Sequence, residues 1–233
     1  MHSVARDNDL RLVETLLGGT GSNAAEISPE VAKSVAGAAS IAAHRGRGDV
    51  LALFEQRGLL PAFQGAEQLL AACARADTAR VNELTANHPE YVQQLRIEGG
   101  ALLSQFAGVG NVDGVRLLLE LGVDVAAPNL IGDLYFDIPK GSTALHSAAW
   151  RAYPDVVKLL LKRGAPVNGR DSRGRTPLAL AVRACVDSYW TYRRSPESTE
   201  LLLQAGASVQ GIQYPCGYVE VDALLRQYGA GVA

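Results

Sequence analysis

No stretch of the chain approaches the roughly 18 unbroken apolar residues that a membrane-spanning helix needs, although 48% of its 233 residues are hydrophobic. No membrane contact is therefore expected. The opening residues, Met1 to Asp7, lack a basic segment followed by an apolar core, so no secretory signal is expected. Cysteine is scarce and odd in number. Cys73, Cys185 and Cys216 lie far apart, which excludes a disulfide framework and provides no Cys-x-x-Cys pair for zinc. They read as small buried apolar residues of a reducing compartment, and a cytoplasmic location is expected. Of the four histidines, His2, His44, His88 and His146, no two have metal-ligand spacing on one helix, so no metal site is expected. Gly18 to Asn23 is glycine-rich, but it lacks a Gly-Lys-Ser/Thr ending and a preceding strand. It is read as a flexible loop, and no cofactor is expected.

A net charge of −2 and a pI of about 6.1 argue against a chain that coats nucleic acid over its whole length. The average hides an asymmetry. Between Lys140 and Arg194 there are eleven Lys and Arg against three acids, Asp155, Asp171 and Asp187, a net +8 that leaves −10 for the remainder. Such blocks are more often solvated faces than sites. Here aromatic residues are interleaved with the charges.

What the chain does have is an internal copy. Gly141-Ser-Thr-Ala-Leu-His-Ser-Ala-Ala149 repeats as Gly174-Arg-Thr-Pro-Leu-Ala-Leu-Ala-Val182, with Thr143 and Thr176 separated by 33 residues. A second series, Leu121 to Val125, Arg163 to Val167 and Ala205 to Val209, follows three leucine-rich runs. Its glycines, Gly122, Gly164 and Gly206, are 42 residues apart, so insertions must separate the units. The pattern predicts pairs of short antiparallel helices. Thr143 and Thr176 cap the first helix, and Pro177 suits its first turn. Small residues (Ala148, Ala149, Ala181) allow neighbouring units to approach. Val156, Val157, Leu159 and Leu160 face a shared core, and Gly164 ends the second helix. One such pair cannot bury its apolar face alone, so the units must stack.

These residues resemble the ankyrin repeat. Asp171-Ser-Arg-Gly-Arg-Thr-Pro-Leu178 matches its turn and helix opening, and Thr143-Ala-Leu-His146 with Ala148-Ala149 matches the next segment apart from Ala144 in place of proline. The likeness is strong from about Leu102 to Val209 and fainter elsewhere; the stretch Pro177 to Glu197 resembles bacterial members of the family. The resemblance implies an all-α solenoid of stacked helix-turn-helix units with extended finger loops, about six units in a single domain over 1–233. Divergent repeats occupy 1–98, clearer ones 99–210, and a capping half-repeat 211–233. Asn8 to Leu17 reads as a helix, and Ser28 caps a longer one opened by Pro29-Glu30. His88-Pro89 stands where a glycine would be expected, and Val221 to Leu225 is the closing helix.

The implied role is protein–protein interaction, not catalysis. Cys185 and His146, about one repeat apart, are the one imaginable nucleophile pair, and a structural cysteine is the better reading. Asp133 and Asp137 lie in polar contexts that need no function. The resemblance places binding on finger tips and on the ends of first helices along a concave face. Carried onto this sequence, that face comprises Lys140, Trp150, Arg151, Arg173, Arg175 and Arg183. The insertion Asp187 to Pro196 adds Tyr189, Trp190, Tyr192, Arg193 and Arg194, with both arginines expected in water. Trp, Tyr and Arg are the residue types that most often dominate interfaces. The expected partner is another protein with an acidic surface. Two rivals stand beside it: a small-molecule or catalytic pocket built by the insertions near Tyr135 and Trp190, and a phosphate-bearing polymer, which strong salt sensitivity would betray.

Overall fold

The computed structural model describes residues 29–133 and 136–231. The expected helix at Asn8 to Leu17, the loop Gly18 to Asn23, the Ser28 cap and Tyr135 lie outside the described residues. The chain divides into two compact units, Met1–Gln93 and Gln94–Ala233.

In the first unit, α1 (Pro29–His44) pairs with α2 (Gly48–Gln56), and α3 (Glu67–Ala74) pairs with α4 (Thr78–Asn87). Leu51, Phe54, Leu69 and Cys73 are fully buried and form its core. Asp77 caps α4 by accepting the Arg80 backbone N–H at 3.0 Å. A helix that the repeat pattern does not predict, α5 (Pro89–Ile97), begins at His88-Pro89. Proline opens it readily, since the first turn has no use for the missing N–H and needs the φ that the ring already fixes.

The second unit holds α6 (Gly99–Gly108) with α7 (Val112–Glu120), α8 (Ala144–Trp150) with α9 (Pro154–Lys162), and α10 (Pro177–Asp187) with α11 (Glu197–Gln204). The first helices α6, α8 and α10 pack side by side. The second helices α7, α9 and α11 form the adjoining layer, and α12 (Val219–Gln227) closes on α11. Ala148, Ala149 and Ala181 are buried, and their small side chains permit this spacing. Thr176 caps α10 by accepting the Ala179 N–H at 3.2 Å. At α8 the Thr143 N–H donates to His146 Nδ1 at 3.1 Å. Gly164 adopts φ +84° and ends α9, a conformation that would strain a residue with a Cβ. Val156, Val157 and Leu160 are fully buried on the core side of α9, while Leu159 is half-buried at its edge.

All-α repeat architecture is thus established. Among the described residues the extended pairing is confined to two isolated bridges, Asn129 with Ser142 and Asp133 with Ile138. Both belong to the long finger between α7 and α8. At its base, Gly100 of α6 lies so near that a Cβ would sit 2.2 Å from the Pro128 carbonyl oxygen.

Candidate functional site

The long finger is bolted to the helices by a buried polar chain. Asn129, 1% exposed, donates to Ser104 Oγ at 3.4 Å, and Ser104 Oγ meets Ser147 Oγ at 2.7 Å. The Asn129 side-chain oxygen also accepts the N–H groups of Ile131 and Gly132, at 3.0 and 2.9 Å. This turn holds Leu130 and Ile131 in solvent, 71% and 76% exposed.

Further along, the finger folds onto α8 and α10. Ile138, Trp150, Leu180 and Ala184 form a small apolar cluster, with Phe136 and Trp190 packed against it. The Trp150 indole N–H donates to the Phe136 carbonyl at 2.6 Å, and the Trp190 indole N–H donates to the Trp150 carbonyl at 3.2 Å. The two rings meet edge to face at 5.1 Å, the arrangement that aromatic quadrupoles favour. Trp150 is consequently 3% exposed. It supports both insertions from beneath and offers no indole face to a partner. Trp150 and Trp190, two of the aromatic residues that could wall a pocket between the insertions, pack against each other.

Arginines decorate this support in two ways. The Arg151 guanidinium lies 3.7 Å from the Phe136 ring centroid and 4.7 Å from that of Trp190. Its Nε and Nη1 are buried and make no hydrogen bond. Burial is the main force holding its pKa below the usual arginine value, and the ring faces supply the compensating attraction. Arg193 lies 4.4 Å over Tyr153, and Arg194 donates to the Ser188 carbonyl at 2.9 Å. Both are half-buried, contrary to the expectation that they stand in water. The insertion is short, with a single 3₁₀ turn at Thr191–Arg193, and Trp190 and Arg193 lie back against the repeat.

The second mode converges on one carboxylate. Asp137 accepts hydrogen bonds from Arg173, from Arg175 Nη1 at 3.1 Å and from Arg183 Nη1 at 2.6 Å. Arg175 Nη2 also donates to the Asp137 carbonyl, at 3.1 Å. Desolvation pushes the Asp137 pKa up, but hydrogen bonds from the three guanidinium groups outweigh it and hold the pKa at about 2. Arg175 has a second anchor in buried Asp171, Nε to Oδ2 at 2.8 Å. The other Asp171 oxygen accepts the backbone N–H groups of Arg173 and Arg175, each at 2.9 Å, and so shapes the short finger before α10. Lys140 is exposed, and its carbonyl accepts the Ser172 N–H at 3.1 Å, linking the two fingers. Tyr189 is 95% exposed, whereas Trp190 and Tyr192 are half-buried.

The histidine and cysteine that might have formed a nucleophilic pair have other partners. His146 Nδ1 accepts from Thr143, so Nε2 carries the proton toward the Arg175 carbonyl at 3.1 Å, tying one repeat to the next. Burial lowers its pKa and keeps it neutral. Cys185 donates to the Ser195 carbonyl at 3.2 Å, and burial pushes its thiol up to about 11. A thiol so protonated is a poor nucleophile. In the first unit a cavity of about 250 Å³ is lined by Leu60, Phe63, Ala71, Arg75 and Arg80 among others. Its arginines are already paired, Arg75 with Glu55 and Arg80 with Glu83.

The sequence profile for ankyrin repeats (three copies) matches residues 69–171 and 109–211, more than half of the chain. The chain belongs to the ankyrin-repeat family. Ankyrin repeats generally mediate protein–protein interaction, and the family is typically non-catalytic. The ankyrin chain is 33% identical over 147 residues to a putative ankyrin repeat protein of Rickettsia bellii, covering 56% of this chain and 58% of that protein. It is 40% identical over 86 residues to serine/threonine-protein kinase 12 of Arabidopsis thaliana, covering 37% of this chain and 17% of the kinase. Over 69 residues it is 39% identical to human protein phosphatase 1 regulatory subunit 27, covering 30% and 39%. The ankyrin chain therefore spans less than two thirds of each of these relatives. No helix among its described residues is long and apolar enough to cross a membrane.

Two features of this surface escape a reading of the sequence alone. Asp137 looked dispensable because nothing local marks it; its partners are 36 to 46 residues away. The Leu130-Ile131 tip is an apolar pair whose only local mark is the preceding Asn129, a residue that can turn the chain.

Proposed function

We propose that this ankyrin chain is a protein-recognition scaffold that engages an acidic partner surface through its two fingers and the Asp187–Pro196 insertion. The contact residues are Lys140, Arg173, Arg183 and Tyr189, flanked by Tyr192, Arg193 and Arg194. Trp150, Arg151, Arg175 and Trp190 hold them in place. The observation that carries the reading is the exposure of Arg173 and Arg183, 51% and 41% for their side chains, beside a packed aromatic support. Rigid loops that present Arg and Tyr in water are suited to recognition at low ordering cost. Nothing in the reading requires a cofactor, and catalysis is not invoked.

The test is affinity capture with wild type beside an Arg173→Glu/Arg183→Glu variant, after circular dichroism has shown equal helicity. Arg175 is spared because it anchors Asp171. A partner retained by wild type and lost by the variant supports the reading. A partner retained equally by both overturns it.

A further inference from the structure

We propose that Arg173, Arg175 and Arg183 form a receptor for one carboxylate of an acidic partner segment, and that Asp137 fills it as an internal substitute which the partner displaces. The inference rests on the reading above and names the site and chemistry through which the partner docks.

The first argument is a surplus of cations. Three guanidinium groups surround Asp137, and among the described residues the only other carboxylate in their hydrogen bonds is Asp171, held by Arg175. Three positive charges against two negative ones leave an unmatched charge at a partly exposed position. Anchoring the finger to the repeat would have needed one pair. The second argument is access. Asp137 is 31% exposed, and Arg173 and Arg183 more so, which leaves the cluster open to water on one side.

The third argument is that the receptor is built independently of its occupant. The short finger that carries Arg173 and Arg175 is shaped by Asp171. Arg183 lies 4.7 Å over the Trp150 ring. Arg175 also donates to the Asp137 backbone carbonyl, a contact that survives rotation of the Asp137 side chain. Phe136 and Ile138, on either side, are packed on the apolar cluster, so rotating the Asp137 side chain does not require either to move. Asp137 itself has φ +54°, in the left-handed region that glycine and, among other residues, aspartate and asparagine adopt most readily. The carboxylate thus sits in a pocket whose other contacts form without it. A carboxylate is what the geometry already accommodates, so the ligand class is an Asp or Glu side chain on a peptide.

Fluorescence anisotropy of labelled hexaglutamate, with labelled hexaglutamine as the blank, tests this on the full chain. Asp137→Asn is the main variant, and Asp137→Gly is the second because glycine relieves the positive φ if the first folds poorly. Either is expected to bind hexaglutamate about fivefold more tightly than wild type, the order expected when one partly exposed ion pair no longer competes. Asp155→Asn makes the same change in net charge on the exposed face of α9 and is expected to bind as wild type does. Adding Arg183→Gln to Asp137→Asn is expected to abolish the gain. Equal or weaker binding by both Asp137 variants overturns the proposal, as does an equal gain in Asp155→Asn or binding of hexaglutamine at the same strength. If Arg173→Glu/Arg183→Glu loses a captured partner while the Asp137 variants gain nothing, the receptor is wrong and the recognition role stands. If that variant keeps its partner, the role itself is wrong.

Discussion

The arginines of the basic block fall into two groups that share a composition and differ in how they are held. Arg173, Arg175 and Arg183 meet on the carboxylate of Asp137. Arg151 and Arg193 lie over aromatic rings, Phe136 and Tyr153 respectively, with part of each guanidinium making no hydrogen bond. The first group is electrostatic, partly wet and open to competition from another anion. The second is packed, and its charge is answered by polarisable ring faces that no soluble anion replaces. A net count of +8 therefore overstates what the surface presents. The acid that answers three of the charges lies just outside the segment counted, and others are turned inward.

The comparison breaks first at Trp150, where the two groups touch. Its ring carries Arg183 on its face at 4.7 Å, and its indole N–H and backbone carbonyl bind Phe136 and Trp190. Trp150→Ala is expected to cost about 3–5 kcal/mol, the range for truncating a buried aromatic. Urea denaturation measures it, and emission from Trp190, then the sole tryptophan, reports whether the second insertion comes loose at lower urea than the helices. A loss under about 1 kcal/mol would mean that each insertion is anchored elsewhere.

The repeat itself was legible because its instructions are local. Thr176 with Pro177, Thr143 with His146, and Gly164 after a leucine run each determine one helix end from a few adjacent residues. Helix α5 was missed for the opposite reason: the repeat register has no slot for it, although Pro89 is a sound first-turn residue. The site was legible in type and not in detail. Register placed Trp150 at a helix end facing a partner, and would be right for a finger of ordinary length. The longer finger returns Phe136 and Ile138 onto that spot, and no periodicity encodes where an insertion folds back. Asp137 was invisible for the same reason. Its three ion pairs span 36 to 46 residues, and the exposed Arg193 and Arg194 of the sequence reading became half-buried by the same folding back.

Acid separates the two groups more gently. The folded-state pKa of Asp137 is depressed from 3.8 to about 2. A carboxylate with a lowered pKa contributes stability in full above its unfolded value, and that contribution fades as pH falls toward the folded one. After allowance for solvent screening at a partly exposed cluster, the contribution is about 1–2 kcal/mol. Asp137→Asn is therefore expected to be less stable than wild type by this amount near pH 7. The gap should close as pH falls from about 4 to about 2, because wild type then loses the same charge. Most of the Trp150→Ala gap comes from lost packing, and only its contact with Arg183 reaches the titrating carboxylate, so that gap should narrow slightly and largely persist. Denaturation at three or four pH values checks both, and a constant gap for Asp137→Asn would mean that the carboxylate's hydrogen bonds, not its charge, matter.

The smallest structural effect belongs to Tyr189, which sharpens the comparison by lying in neither group. It is 95% exposed, and no ring contact or hydrogen bond places it in the support beneath. Its neighbour Trp190 faces inward and donates to Trp150, so the chain alternates between the two sides of the insertion within one residue. Removing an exposed side chain that has no folding role typically changes stability by no more than about 0.5 kcal/mol. Tyr189→Ala should therefore melt as wild type does, and should leave both the acid response and the emission of the two tryptophans unchanged. A large aromatic kept in water has a cost in apolar exposure that binding would recover, and tyrosine contributes broad contact area with few rotamers to freeze. Capture of the partner that Arg173→Glu/Arg183→Glu loses should accordingly weaken in Tyr189→Ala, with no change in fold to explain it. Full retention of that partner would confine recognition to the charged fingers and remove the second insertion from the contact surface.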